Sequence, residues 1–128
     1  MIKMMFCLRR LPGMTQAEFQ RYWREIHAPL VREAAPLLNI RRYVQSHTFH
    51  DPRIAPAVDA RGCAVEPYDG VAELWWDSVD DIITAGATKE GRAAGRRLLT
   101  DEANFIDAKN STLFYVDENE VVAPSPDK

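Results

Sequence analysis

Three polar side chains at alternate positions, Tyr43, Gln45 and His47, form the most suggestive chemical constellation in this 128-residue chain. Alternate residues of a strand point to one face, so their hydrogen-bonding groups would line a common surface. Burying them against a packed helix layer would be costly, which favours a cavity wall, although a solvated edge strand gives the same pattern. In a cavity, His47 is the preferred acid–base group and Tyr43 a donor to a developing oxyanion. Ile40 and Val44 would then face the helices.

Two further ionisable residues, His27 and Glu73, are candidates for proton transfer. His27 ends a predicted helix just before Pro29, where the helix dipole would favour the imidazolium and raise the pKa. It is either an acid–base group at the mouth of the cavity or a structural partner of a backbone carbonyl. Glu73 lies in an apolar strand, where a carboxylate needs a partner or a raised pKa. It is either a ligand-contacting base or half of an ion pair with an arginine or histidine of the first helix.

The predicted ligand-binding residues are Gln45, Glu73, Trp76 and Phe6. Trp76 is assigned to the interior of the cavity, where its indole could stack on a flat ligand, and ordinary core packing is the alternative. Phe6 lies in a first strand whose two faces are both apolar, so either Phe6 or its neighbour Met5 must meet something beyond the helix layer.

Composition excludes several classes of function. A net charge of −3, with 46% hydrophobic and 27% charged residues, is typical of a globular domain that does not bind nucleic acid. No apolar stretch approaches the length of a membrane span, so a cytoplasmic location is expected. His47 and His50 would point to opposite faces of a strand, and Cys7 and Cys63 are too few for a zinc site. No metal or cofactor is therefore expected, and any chemistry would be cofactor-free proton transfer.

The elements that position these residues follow the order β-α-β-β-α-β. Strands are predicted at residues 2–10, 40–49, 70–77 and 111–117, and helices at 15–27, 30–38, 78–86, 89–99 and 101–106, the last one capped by Asp101. Thr15 and Glu18 form a capping box at the first helix. Right-handed crossovers place two helices on one face of a four-stranded antiparallel sheet, which is the ferredoxin-like α+β fold. Residues 1–118 form this domain, and residues 119–128 are a flexible acidic tail.

The uncovered face of that sheet needs a partner. It would expose Phe6 or Met5 together with Trp75 or Trp76, a larger apolar patch than a soluble monomer normally carries. A second copy of the chain, packed sheet to sheet, is the simplest cover, so a homodimer is expected.

Four motifs in order resemble the EthD domain family over residues 1–118. They are Leu8-Arg9-Arg10-x-Pro12-Gly13-Met14-Thr15, Phe19-x-x-Tyr22-Trp23-x-x-x-His27-Ala28-Pro29-Leu30, Arg42-Tyr43-Val44-Gln45-x-His47 and Asp69-Gly70-Val71-Ala72-Glu73-Leu74-Trp75. The resemblance implies a dimeric α+β barrel, in which two ferredoxin-like sheets close into one barrel.

The same resemblance implies a cavity in each half-barrel that binds a small aromatic or polyketide-like compound. A lyase, isomerase or cyclase step would then proceed by proton transfer through His47, Tyr43 or His27. A non-catalytic binding or accessory protein of a degradation pathway is the alternative. A haem monooxygenase is disfavoured, because residues 79–98 contain no histidine to serve as an iron ligand.

Overall fold

A four-stranded antiparallel sheet organises the chain, as seen in a computed structural model that describes residues 1–126. Its strands are β1 (Ile2–Leu8), β2 (Arg42–His47), β3 (Gly70–Trp76) and β4 (Thr112–Asp117). They lie in the order β2-β3-β1-β4, with every neighbouring pair antiparallel. This order and the helices between the strands confirm the predicted ferredoxin-like α+β fold.

The first helical layer is one continuous but irregular rod. It comprises α1 (Gln16–Tyr22), a π-helical turn (Trp23–His27), α2 (Ala28–Ala34) and a 3₁₀ turn (Ala35–Leu38). The predicted capping box is present, because the Thr15 hydroxyl accepts from the Glu18 backbone and the Glu18 carboxylate accepts from the Thr15 backbone. The π turn directly precedes α2, which carries Pro29 in its first turn, where a missing backbone N–H is tolerated, and the rod does not end there.

The second helical layer consists of α4 (Val79–Ala87) and α5 (Lys89–Glu102), joined at Thr88. The hydroxyls of Ser78 and Thr88 cap the two helices. The predicted separate helix at 101–106 is wrong, because α5 itself runs to Glu102 and a turn follows. The connection between β2 and β3 contains the short α3 (Ala55–Asp59), and a 3₁₀ turn (Ala108–Asn110) precedes β4.

The two faces of β2 are the reverse of the prediction, because Tyr43, Gln45 and His47 lie toward the helical rod and not away from it. Gln45 Nε2 donates to the backbone carbonyl of Trp23, and Trp76 Nε1 donates to that of Leu38, so both side chains point toward the helices. Val44 pairs with Glu73 across the strands and lies on the opposite face. The prediction that Val44 faces the helices is therefore wrong, whereas Ile40 does reach the helix-covered side.

The core lies between the sheet and the helical rod. Its fully buried side chains are Leu8, Phe19, Trp23 and Phe105. The rings of Phe19 and Phe105 are 5.5 Å apart, which ties the segment after α5 to the first helix. This contact also fixes the position of the end of α5, which carries part of the site described below.

The open face of the sheet carries Trp75 and Met5, and not the Trp76 and Phe6 that the sequence left as options. Trp75 is only 6% exposed, because Lys3 and Arg42 each place a cation 4.6 Å from an indole ring centroid. Phe114 of the edge strand β4, next to Met5, remains 44% exposed. This face therefore combines a cation-covered indole with an uncovered phenyl ring.

Within the described residues, no helix has both the length and the apolar character needed to cross a membrane. Residues 119–126 of the predicted acidic tail contain no helix or strand, and residues 127–128 lie outside the described residues.

Candidate active site

A cavity of about 450 Å³ lies between the helix-covered face of the sheet and the helices. This volume is in the range of sites for small organic molecules. Its walls are mostly apolar and include Met4, Phe6, Leu74, Trp76, Ile82 and Leu98. The ionisable side chains among its lining residues are His27, Tyr43, Arg92, Glu102 and Tyr115. These are the ionisable groups that the chain itself offers for chemistry in the cavity.

His27 is held in the cavity wall by Asp101. The π turn places the imidazole inward, 4% exposed, with Nδ1 2.8 Å from Asp101 Oδ2. Asp101 also accepts hydrogen bonds from the Tyr22 hydroxyl at 2.6 Å and from the Asn104 side chain at 3.3 Å. Burial alone would raise the pKa of Asp101, but these hydrogen bonds outweigh it and leave the pKa below its usual value.

This contact sets the tautomer of His27. Burial lowers the pKa of His27, only partly offset by Asp101, so the imidazole is neutral at pH 7. The expectation of a pKa raised by a helix terminus is wrong in direction, because the rod continues past His27 into α2. The carboxylate takes the Nδ1 proton as its hydrogen bond, which leaves Nε2 unprotonated. His27 thus has the arrangement of an oriented general base.

Tyr43 presents a hydroxyl whose proton is free to donate. Its oxygen accepts from Trp23 Nε1 and from Gln45 Nε2, each at 3.1 Å. Both partners are N–H groups that can only donate, so the phenolic proton is left for the cavity that Tyr43 lines. Burial raises the pKa of Tyr43, which keeps this proton in place at pH 7.

His47 lies behind this donor and does not line the cavity. Its Nε2 donates to Gln45 Oε1 at 2.9 Å, and its ring lies 4.6 Å from that of Trp23. Its Nδ1 is buried without a partner among residues 1–126, and burial lowers the pKa of the ring. The predicted trio does share one face, but only Tyr43 reaches the cavity, while Gln45 and His47 orient it from behind.

The other predicted ligand-binding residues divide between the two faces. Phe6 and Trp76 line the cavity on the helix-covered face, and the Trp76 N–H is satisfied by a backbone carbonyl. Their role in ligand binding stays a prediction. Glu73 lies on the open face, 3.2 Å from Lys3 Nζ, with Ser46 as a weak hydrogen-bond donor at 3.4 Å. Glu73 therefore does not line this cavity, and its ion-pair partner comes from β1 and not from the first helix.

Asp101 and Glu102 were missed by the prediction, because Asp101 was assigned to the start of a helix and not to its end. Glu102 lines the cavity at the last residue of α5. Burial, with a further contribution from the adjacent Asp101 carboxylate, raises the pKa of Glu102 to about 7. The available signal was the consecutive acidic pair at the end of an apolar-striped helix, where the helix dipole disfavours carboxylates.

The site thus combines a base, a neutral hydrogen-bond donor and a carboxyl group that titrates near neutrality. Residues 1–126 hold no group of three or more His, Cys, Asp or Glu side chains arranged to bind a metal ion. The arrangement can accept a proton at His27 and stabilise charge on an oxygen near Tyr43.

Comparison with known proteins gives consistent relatives. A fungal protein named Decarboxylase claH, from Passalora fulva, is 23% identical over 113 residues, covering 85% of this chain and 71% of its own length. A solved EthD family protein from Bacillus halodurans C-125 has a TM-score of 0.59 at 24% identity, covering 93% of this chain and 99% of its own. A dimeric protein of unknown function with a ferredoxin-like fold, from Bacteroides fragilis, has a TM-score of 0.51 at 13% identity, covering 91% and 95%.

The two solved structures support the fold, and the sequence match defines the family. The family model described as EthD domain matches residues 11–109, from the turn after β1 to the turn before β4. The matched region contains both residues of the His27–Asp101 pair and all of the helical layer over the cavity. The chain belongs to the EthD domain family.

Proposed function

We propose that this protein catalyses cofactor-free proton transfer on a small, largely aromatic compound bound between the sheet and the helices. The observation that carries the proposal is the His27–Asp101 pair in the wall of an otherwise apolar cavity. Asp101 fixes the tautomer in which His27 Nε2 is free, and burial keeps the imidazole neutral at pH 7. A neutral, oriented imidazole is in the protonation state that a general base requires at pH 7.

The proposed roles follow from these contacts. His27 removes a proton from the substrate, and Asp101 acts as a positioning residue that stabilises the imidazolium formed. The Tyr43 hydroxyl donates to an oxygen on which negative charge develops. Phe6 and Trp76 supply apolar surface for a flat ring.

The fungal relative supports this class of chemistry in a limited way. It is named a decarboxylase. For the present chain we propose the broader class, a lyase, isomerase or cyclase step on an aromatic or polyketide-like intermediate. A cytoplasmic homodimer, closed through the open faces of two sheets, is part of the same proposal.

Solvent deuterium incorporation into 2-tetralone tests the proposal without knowledge of the natural substrate. This probe is a small bicyclic ketone whose carbon-bound protons are acidic enough for a histidine base. NMR follows the loss of its proton signals in D₂O with the wild type, with His27→Gln and with Asp59→Asn. Asp59 is an exposed residue of α3, so its substitution is a matched control.

We expect the wild type and Asp59→Asn to accelerate exchange equally, and His27→Gln to be slower by about 100-fold or more. Equal rates in His27→Gln and the wild type would refute the role of His27. A wild type that binds 2-tetralone without accelerating exchange would instead support the binding or accessory function.

A further inference from the structure

The Glu102 carboxyl faces the apolar cavity without a partner. It forms no hydrogen bond or ion pair with another described residue, and the adjacent Asp101 carboxylate repels a second negative charge. Asp101, one residue earlier, accepts three hydrogen bonds from Tyr22, His27 and Asn104. The two adjacent carboxyls thus have opposite environments, because Asp101 has three hydrogen-bond donors and Glu102 has none. Active sites use such a difference to keep one carboxyl neutral beside an ionised one.

A carboxyl group in this setting is a hydrogen-bond donor for much of the neutral range. Burial raises the pKa of Glu102 to about 7, so the protonated form predominates in slightly acidic solution. The carboxyl is half-buried and has no partner among the described residues, so a ligand oxygen that accepts its proton would supply the missing hydrogen bond. The cavity volume leaves room for such a ligand.

Tyr43 offers a second donor in the same cavity. Its oxygen is already engaged by two N–H groups, so its own proton is directed to a further acceptor. The Glu102 carboxylate is close enough to Tyr43 to contribute to raising the pKa of the phenol. Glu102, Tyr43 and the base His27 all line this one cavity.

We propose that neutral Glu102 and Tyr43 form a two-donor oxyanion site, and that the substrate is an enolisable carbonyl compound whose oxygen binds between them. The inference rests on the proposed function and adds the class of substrate to it. His27 Nε2 takes a proton from the carbon next to the carbonyl. The C–H electron pair forms a C=C bond, and the carbonyl π pair moves to the oxygen held by the two donors.

The enolate then takes a proton back from the imidazolium at the same or a conjugated carbon, so no oxidant or other reactant is consumed. Sites that stabilise enolates do pair a phenol with a carboxylic acid kept neutral by apolar surroundings. Other titratable groups that line the cavity with Glu102 are His27 of the π turn, Arg92 of α5 and Tyr115 of β4. The parts of α2 and α4 that line it contribute Val31, Ile82, Ala85 and Gly86, none of which titrates.

A binding experiment with two matched probes tests this inference independently of turnover. 2-Tetralone carries the carbonyl oxygen, and tetralin is the corresponding hydrocarbon without it. Calorimetry or fluorescence would give the dissociation constants of both probes at about pH 6 and about pH 8.5 for the wild type, Glu102→Gln and Glu102→Leu. Neither probe has an ionisable group that titrates in this range, so any pH dependence belongs to the protein.

In the wild type, the preference for 2-tetralone over tetralin should fall about fivefold between pH 6 and pH 8.5, as Glu102 loses its proton. Glu102→Gln, whose amide always donates, should keep the preference at both pH values. Glu102→Leu should show a preference about fivefold weaker at pH 6 and independent of pH, while its tetralin binding reports an intact cavity.

A wild-type preference that does not change with pH would overturn the inference, as would a full preference in Glu102→Leu. Failure of the proposed function has a different signature. In that case 2-tetralone binds with the expected pH-dependent preference, but its protons do not exchange faster than in buffer.

Discussion

Glu102→Gln should stabilise the protein in mildly alkaline solution and not in acid. The folded state raises the pKa of Glu102 from 4.5 to about 7. Between these values the folded chain holds a proton that the unfolded chain has released, so the unfolding free energy decreases as the pH rises. The shift corresponds to about 3 kcal/mol, at 1.36 kcal/mol for each pKa unit. Glutamine has the same shape and no ionisation, so this loss disappears in the variant.

Urea unfolding at a series of pH values and one fixed protein concentration measures the effect. The difference in unfolding free energy, variant minus wild type, should increase by about 3 kcal/mol from about pH 4.5 to about pH 8 and then level off. Glu90→Gln, at an exposed position in the first turn of the same helix, should show no such increase. A difference for Glu102→Gln that is constant across this range would refute the assignment of a half-buried carboxyl that stays neutral below pH 7.

Three other substitutions give separate predictions. Asp101→Asn places an amide donor opposite His27 Nδ1, so the imidazole proton should move to Nε2, which ¹⁵N NMR detects. The rate of deuterium exchange should then fall by about 100-fold or more, and an unchanged tautomer would contradict this role of Asp101. Tyr43→Phe leaves two N–H groups without their shared acceptor and should cost about 2 kcal/mol in urea unfolding; full stability means that neither hydrogen bond matters. Phe114→Glu on the open face should convert the proposed dimer to a monomer in sedimentation, whereas Val121→Glu in the tail should not; a dimeric Phe114→Glu refutes packing through this face.

The fold was predictable because its signals are local and agree with one another. The Thr15–Glu18 capping box, the Pro12-Gly13 turn and the alternating strands each specify one element, and their order specifies the ferredoxin-like arrangement. Strand geometry also predicts directly that Tyr43, Gln45 and His47 share one face of the sheet. It does not predict which face, because β1 and β3 are apolar on both sides and a two-residue period cannot distinguish the two faces.

The site was only partly predictable, for physical reasons that involve three residues. His27 was expected to be protonated at a helix end, but the π turn carries the rod onward, so desolvation determines its pKa. Asp101 and Glu102 look like a helix start in the sequence, where acidic residues are common. Their actual place at the end of α5 depends on packing of the following segment against the first helix, a long-range contact that no local pattern encodes.

The pH dependence of deuterium exchange into 2-tetralone tests the central claim, that a neutral His27 in this cavity is the base. As the pH increases, the exchange rate should rise when His27 loses its proton, at a pKa below the ordinary histidine value of 6.5. The rate should fall again near pH 7, when Glu102 loses its proton. Glu102→Gln should lose only the alkaline decrease, and His27→Gln should lose the exchange activity itself. An acidic limb that persists unchanged in His27→Gln would contradict the account.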